Sequence, residues 1–414
     1  MNDKKKRAII FSPFWRQEGH VGNNRVDRFI RWFSDAGYTV VVIRAGSLDG
    51  ERSESWGTEI TVRDRLGLYR DQVLGQQPTA SSPRKPNRLR RYLAYRLFNP
   101  DFTVLWARDA ATHPAVLKAV AGGDLILSSS PPESSHVGAW MLSRRTGIPY
   151  VIDMRDGWLD EPLRPLLQSS RLRRWREGRL ESRILREAKA VQVTSTVWKE
   201  LLCARYPALS QKVHVITNAY PRNQTIMRQR PMDKVDAERL LIHAGRFTGS
   251  RSTQLPALLL EPLLRNLTGQ AGTGVIQLIG DLAEDELKMI APFKSRFNNI
   301  GWRIECTGSI PRKQLLDLLP KADGLLLLCA SYAALPSKLF EYIPTEIPIF
   351  VAADKNNATW KACASLPQAT LREAVIDNTE SKKDAQAFYM NVSHNIPSEY
   401  SETFISQVFN RVIA

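Results

Sequence analysis

The sequence predicts an α/β protein built from two doubly wound parallel-sheet domains. Three observations lead there. At 414 residues the chain exceeds what one ordinary core accommodates. A strand–loop–helix–strand pattern begins twice, at Arg7 and again at Leu240. Late in the chain, the continuous apolar run Gly324–Cys329 leads through a loop and Pro336-Ser337-Lys338-Leu339-Phe340-Glu341-Tyr342 into a second apolar run at 347–352, the order of a βαβ unit.

Charge is unevenly placed. Residues 1–215 hold 36 Lys and Arg against 22 Asp and Glu, and residues 216–414 hold 22 against 20, so nearly all of the net +16 belongs to the first half. That half is expected to meet an anionic partner: nucleic acid, membrane headgroups or an anionic ligand. The cysteines, Cys203, Cys306, Cys329 and Cys363, form no CxxC pair, which argues against a zinc site or disulfide framework and for reduced, buried thiols. Behind the basic start, the apolar run at 8–11 is stopped by Pro13, too short for a signal peptide. No window reaches the roughly 18 apolar residues of a membrane span. A cytoplasmic protein, soluble or peripheral at the inner membrane face, is the expectation.

Residues 7–11 read as the first buried strand, opening into Ser12-Pro13-Phe14-Trp15 and the glycine loop Gly19-His20-Val21-Gly22. A helix with Val26, Phe29, Ile30 and Phe33 on one face ends at Gly37, and 40–43 is the next strand. The glycines let backbone approach a ligand, but their spacing is not GxGxxG and no acidic residue closes the second strand, so a dinucleotide is not indicated. Residues 45–100 read as polar and strand-poor. Within them, residues 84–98, opening on Arg84 and closing on Phe98, place Leu89, Tyr92, Leu93, Arg96 and Leu97 on one face among basic neighbours. That suits an interfacial helix on an anionic membrane or, equally, a helix packed on its own domain with a solvated basic rim.

Residues 124–127 form a third strand, opening into the polar loop Ser128-Ser129-Ser130-Pro131-Pro132-Glu133-Ser134-Ser135-His136. After a helix that ends at Gly147, a strand at 149–152 finishes in Asp153-Met154-Arg155-Asp156-Gly157-Trp158. Charged groups at the carboxyl end of a buried strand are costly unless they hold a ligand or one another, and ligands bind at that end of a doubly wound sheet. Asp153, Arg155 and Asp156 are therefore candidate site residues. His136 is a weaker candidate, because a loop histidine is more often a plain surface residue. Residues 171–189 form an arginine-dense helix with Glu177, Glu181 and Glu187 interleaved, expected as a salt-bridged surface helix, with a membrane role as the second reading. Strands at 190–194 and 213–216 precede a polar stretch after residue 217, where the domain boundary falls.

The second pattern starts with a strand at 240–244 and closes in Gly245-Arg246-Phe247-Thr248-Gly249-Ser250-Arg251. Glycines that admit backbone and arginines that clamp phosphate oxygens suit a diphosphate. Strands at 275–279 and 302–306, the latter followed by Gly308, continue the alternation. Pro336 and Ser337 read as a helix entry with Ser337 as its cap, and a helix start at this edge of a parallel sheet is an anion site. One turn in, Glu341 is placed to accept hydrogen bonds from sugar hydroxyls. The plain alternative is a capped surface helix with one solvated glutamate. A last helix at 401–412 carries Phe404, Ile405, Val408 and Val412 on one face.

The Gly-Arg loop and the Pro-Ser-Lys-Leu-Phe-Glu-Tyr unit in one chain resemble the GT-B glycosyltransferases, specifically the family 4-like retaining enzymes. The resemblance covers nearly the whole chain. It implies two Rossmann-like domains facing a cleft: residues 1–218 for the acceptor, residues 219–392 for the nucleotide sugar, and a C-terminal helix at 393–414 returning to the N-terminal domain. Ser12-Pro13 with Gly19 and Gly22 is similar to the acceptor-side opening loop of these enzymes. The Ser128–Pro132 and Asp153–Trp158 stretches are similar to a subgroup that builds bacterial surface polysaccharides. Gly245-Arg246 with Arg251 resembles the phosphate clamp. Glu341 matches the second glutamate of the E-x7-E motif, the one on the donor ribose, and Ala333 stands where the first would fall.

The resemblance thus implies a retaining hexosyl- or N-acetylhexosaminyltransferase at the cytoplasmic face. It would use a nucleotide-diphosphate sugar, with a UDP-sugar expected, and a lipid-linked glycan acceptor, without metal or further cofactor. The implied donor residues are Gly245, Arg246, Gly249, Arg251, Gly308, Ser337, Lys338, Leu339 and Glu341. Gly19, His20 and Gly22 are implied for the acceptor, and His136, Asp153, Arg155 and Asp156 for catalysis. A sugar-nucleotide epimerase of the same fold stays open, since Asp153, Asp156 and Glu133 offer carboxylates for proton abstraction. A non-catalytic basic binding protein is the third reading; against it, the arginine-rich stretches match no nucleic-acid module.

Overall fold

The computed structural model describes residues 6–17, 22–65, 98–160, 170–220, 238–247, 255–374 and 397–414. The chain divides into two compact units: Met1–Thr194 with Trp198–Ile216 and Ser406–Ala414, and Ser195–Val197 with Thr217–Ile405.

The first unit is an eight-stranded sheet of β1 (Arg7–Phe11), β2 (Thr39–Gly46), β3 (Gly50–Glu54), β4 (Gly57–Arg63), β5 (Leu125–Ser130), β6 (Tyr150–Met154), β7 (Ala190–Val193) and β8 (Val213–Val215). Its order is β3-β4-β2-β1-β5-β6-β7-β8, and every pairing is parallel except the β3–β4 hairpin. The strand order reverses at β1, so the carboxyl ends of β1 and β5 flank the switch point where such sheets bind ligands.

Two expectations need correction here. Residues 45–100 are not strand-poor, since β3 and β4 lie among them. β3 is a polar, largely exposed edge strand, and β4 buries only Glu59, Ile60 and Val62, so neither shows a continuous apolar run. Ser128, Ser129 and Ser130 are not loop residues either: they complete β5, in parallel register with Ile152, Asp153 and Met154. Strand geometry tolerates them because Ser128 and Ser129 find buried side-chain partners.

The helix Asn23–Asp35 covers the sheet with Phe29, Trp32 and Phe33. Phe409, from the last helix Glu402–Ile413, seats among them with ring centroids 5.3, 5.3 and 5.2 Å away. Lys189 Nζ donates to the Ile413 carbonyl at 2.8 Å, so the end of the chain returns to the first unit.

The second unit is an all-parallel six-stranded sheet: β9 (Arg239–Ala244), β10 (Gly274–Ile279), β11 (Trp302–Gly308), β12 (Gly324–Cys329), β13 (Ile349–Ala353) and β14 (Ala369–Glu373), in the order β11-β10-β9-β12-β13-β14. The leucines of β12 show why its sequence is continuous. Leu326 and Leu328 enter one core with Leu241, Leu263 and Phe350, and Leu325 and Leu327 enter another with Ile242, Leu339 and Val351. A strand covered on both faces can be apolar at every position, as β12 is.

The helix expected after Ser337 is a single turn, Leu339–Tyr342, running into the 3-10 turn Ile343–Thr345. Pro344 has no N–H to bond back to Phe340, and Glu346 reverses the chain at φ +57°. Lys338 holds the cap position and the turn has no side-chain cap, so the expected Ser337 cap is not formed. Among the described residues, no helix is long and apolar enough to cross a membrane.

Phe409→Ala is expected to destabilise the first unit by about 3–5 kcal/mol, because a wholly buried ring leaves a cavity among three aromatics. Phe404→Ala, at a position 43% exposed, should change stability by no more than about 0.5 kcal/mol. Denaturant melts of the two variants check the contrast.

Candidate active site

In the first unit the predicted residues gather at the carboxyl edges of β5 and β6. Asp153 is wholly buried in β6 and grips Arg25 with both oxygens: Arg25 Nε donates to Oδ2 at 2.8 Å and Nη2 to Oδ1 at 2.5 Å. Ser129 Oγ donates to Oδ2 at 2.7 Å, and Arg25 Nη2 also donates to the Ile216 carbonyl at 2.9 Å. One guanidinium thus fastens the helix Asn23–Asp35 to β6 and to the residue beyond β8. Sequence reasoning missed Arg25. Its signal was an arginine spaced four and seven residues before Phe29 and Trp32, on the face that packs inward.

His136, expected in a loop, stands in the first turn of the helix Ser134–Thr146 and is wholly buried. Its Nδ1 lies 2.8 Å from Ser128 Oγ, its ring lies 6.0 Å from that of Trp158, and Nε2 finds no hydrogen-bond partner among the described residues. Burial depresses its pKa to about 3, with Asp153 opposing and Arg155 adding to the shift, so the imidazole is neutral near pH 7. It can exchange a hydrogen bond with a hydroxyl but holds no charge there. Arg155 is held by carbonyls, Nε donating to Ser130 at 2.6 Å and Nη2 to Pro131 at 3.0 Å, and desolvation lowers its pKa. Gly22 sits at the helix entry with φ −65°, a conformation open to any residue; Gly19 and His20 lie outside the described residues.

Asp156 and Gly157 border a small pocket with Trp158, Asp160, Glu181 and Trp198. The helix Arg171–Glu187 differs from expectation here, because Glu177 and Glu181 are wholly buried. Glu177 accepts from Trp158 Nε1 at 2.9 Å and pairs with Arg173. Glu181 Oε2 accepts from the Tyr206 hydroxyl at 2.7 Å and from Arg205 Nη1 at 3.4 Å, while Oε1 has no partner among the described residues. Burial raises the Glu181 pKa to about 7 against the opposing pull of Arg205.

In the second unit, three glycine turns end β9, β10 and β11. Gly245 (φ +110°) donates to the Ile279 carbonyl at 2.6 Å, and Gly280 (φ +158°) donates to the Gly308 carbonyl (φ +72°) at 2.9 Å. A Cβ on Gly280 would come within 2.9 Å of the Gly245 carbonyl, so these turns pack too closely for side chains. A Cβ on Gly245 would come 3.0 Å from Lys338 Nζ. The amine of Lys338 therefore lies over the Gly245 turn. It has no ion-pair partner among the described residues, and desolvation brings its pKa down to about 8, with Cys329 and Glu341 opposing. The structure thus brings the side chain of Lys338, one of the implied donor residues, to this turn.

The remaining predicted donor residues divide. Arg246 pairs with Asp281, both more than half exposed, which is a weak tie. Glu341 accepts from Arg312 through Oε1 alone, at 3.1 Å from Nε and 2.9 Å from Nη2. Ser337 is exposed, and Leu339 is wholly buried in the core, so its side chain is a packing group rather than a ligand contact. Gly249 and Arg251 lie outside the described residues. A residue without a sequence signal is Glu286, buried, whose carboxylate accepts from the N–H groups of Phe247 at 3.1 Å and Ala283 at 2.8 Å. It ties the turn after β9 to the loop after β10. Tyr342 adds a second tie, its hydroxyl accepting from Ala244 N–H at 3.2 Å.

Residues 22–219 match the family model described as Glycosyl transferase 4-like domain. Among solved structures, an alpha,alpha-trehalose-phosphate synthase (UDP-forming) from Burkholderia xenovorans is 11% identical over 99% of this chain and 100% of that one, with a TM-score of 0.59. HepE of Anabaena in complex with UDP is 15% identical over 99% of each chain, at 0.57. The lipopolysaccharide outer core galactosyltransferase WaaB is 14% identical over 99% of each chain, at 0.54. No curated protein sequence matches the chain. The likeness at these identities is one of fold: both parallel-sheet units follow the GT-B glycosyltransferase architecture. The chain therefore has the GT-B fold, with residues 22–219 matching a glycosyl transferase 4-like domain.

Asp153→Asn removes the carboxylate charge that Arg25 Nε and Nη2 meet in the interior and is expected to cost about 3–5 kcal/mol in a denaturant melt. The double variant Arg25→Met, Asp153→Leu should recover much of that loss. Glu181 ionises near 4.5 when unfolded but near 7 when folded, so its contribution is full below pH 4.5 and is lost as pH rises through 7. Glu181→Gln should flatten the fall in Tm over that window; parallel slopes for the two proteins would contradict the assignment.

Proposed function

We propose that the protein is a glycosyltransferase that moves a sugar from a nucleotide-diphosphate donor, a UDP-sugar, to an acceptor hydroxyl. The observation that carries this reading is the Lys338 amine over the Gly245 turn, beside Glu341 and without an ion-pair partner among the described residues. A diphosphate there supplies the missing counter-charge and raises the amine's pKa again. The close glycine turns admit phosphate oxygens, and Arg246 needs only to leave an exposed aspartate to join them. Glu341 keeps Oε2 clear of Arg312 for the ribose hydroxyls. Cationic groups at the diphosphate stabilise charge developing on the leaving group.

Retention of configuration fits this reading, with the leaving phosphate accepting the acceptor's proton. The acceptor belongs to the first unit, near Arg155, Asp156 and the neutral His136, with Asp153 holding that edge in place through Arg25. That HepE was solved with UDP supports the choice of base. That WaaB is a lipopolysaccharide galactosyltransferase supports a hexose and a lipid-linked surface glycan. The basic first half, including residues 84–98, of which 84–97 lie outside the described residues, suits work at the cytoplasmic membrane face.

Thermal shift against UDP, GDP, CMP and dTDP tests the donor site. UDP near 100 times its Kd should stabilise the wild type by about 2.7 kcal/mol, and Lys338→Met and Glu341→Ala should lose most of that gain. No shift with any nucleotide in a folded protein overturns the reading. Product analysis with a UDP-sugar then separates a transferred sugar from an epimerised one.

A further inference from the structure

We propose that the outer face of the helix Arg171–Glu187 is a docking surface for an anionic lipid bilayer. At 3.6 residues per turn, Leu172, Arg176, Arg179 and Arg183 fall in one stripe with Trp175 at its flank, while Glu177, Glu181 and Leu185 fall on the opposite side. Burial follows that geometry. Leu172 is 66% and Trp175 56% exposed, whereas the two glutamates are wholly buried.

The sorting of charge is what makes the face unusual. Read along the chain, interleaved arginine and glutamate describe a helix that neutralises itself. In the fold, Glu177 is taken by Arg173 and Trp158, and Glu181 by Tyr206 and Arg205, so neither is left to face the stripe. Outside, Arg179 stacks over Trp175 at 4.9 Å, and Arg183, 63% exposed, lies 3.8 Å from the distal Glu187 and 5.8 Å from the ring of Trp140. The first two turns thus present cations and large apolar groups together, with no exposed carboxylate of their own helix among them.

That combination matches the chemistry of a bilayer surface. Guanidinium groups meet lipid phosphates, an indole settles at headgroup depth, and a leucine enters the acyl boundary. An exposed leucine at the centre of the stripe favours lipid over nucleic acid, whose phosphates reward the arginines but not the aliphatic group. The surface lies in the first unit and is independent of the donor site in the second.

The test is co-sedimentation of the full chain with vesicles of phosphatidylcholine alone or mixed with phosphatidylglycerol. Binding to the mixed vesicles only, weakening as salt rises, is expected. It should fall about tenfold in Leu172→Ser, Trp175→Ser and in Arg176→Glu, Arg179→Glu, but not in Leu287→Ser, an exposed leucine of the second unit. Unchanged binding in both double variants overturns the proposal. So does binding of a single-stranded RNA oligonucleotide, lost in the arginine variant, without vesicle binding. The UDP thermal shift, unchanged in both variants, shows that they are folded and separates this outcome from failure of the donor site.

Discussion

A guanidinium and a carboxylate meet where water reaches neither, and the first unit is arranged around them. Burying Asp153 in a central strand is tolerable because Arg25 and Ser129 occupy its oxygens, and Asp153 and the Ile216 carbonyl in turn accept from the buried Arg25. Neither residue can be removed alone. The pair joins the first helix, β6 and the end of β8, so the edge that carries Arg155, Asp156 and His136 is set by charge as well as by packing.

The second unit solves a different problem, holding the Lys338 amine against a backbone turn with no ion-pair partner among the described residues. Steric closeness does this: glycines at 245, 280 and 308 let the turns nest, and Lys338 covers the first of them. Glu286 and Tyr342 then fix the turn from below by accepting its backbone donors. The amine remains partly desolvated and its pKa falls. Such a group binds an anion more strongly than a solvated lysine does, because much of the desolvation cost has already been met in folding.

Ala333 is buried where the resemblance would place a glutamate. A carboxylate in that position would have to be paired or protonated, whereas alanine leaves the neighbouring Lys338 and Glu341 as the charged groups of this loop and turn. On the proposed reading, the donor chemistry of the second unit would rest on Glu341, Lys338 and the glycine turns.

Apolar runs and glycines determined most of the fold from sequence alone. A strand buried on both faces is largely apolar, so β1, β9, β10, β12, β13 and the apolar first half of β5 were legible, and so were the glycines at 245 and 308 that close β9 and β11. The β3–β4 hairpin was not, because an edge strand carries polar residues for reasons local sequence does not show. Nor were Arg25 with Asp153, separated by 128 positions, and the Lys338 amine over Gly245. The direction of Glu177 and Glu181 was hidden for the same reason. Periodicity tells which residues share a face, but only packing decides which face turns inward and which charges meet there.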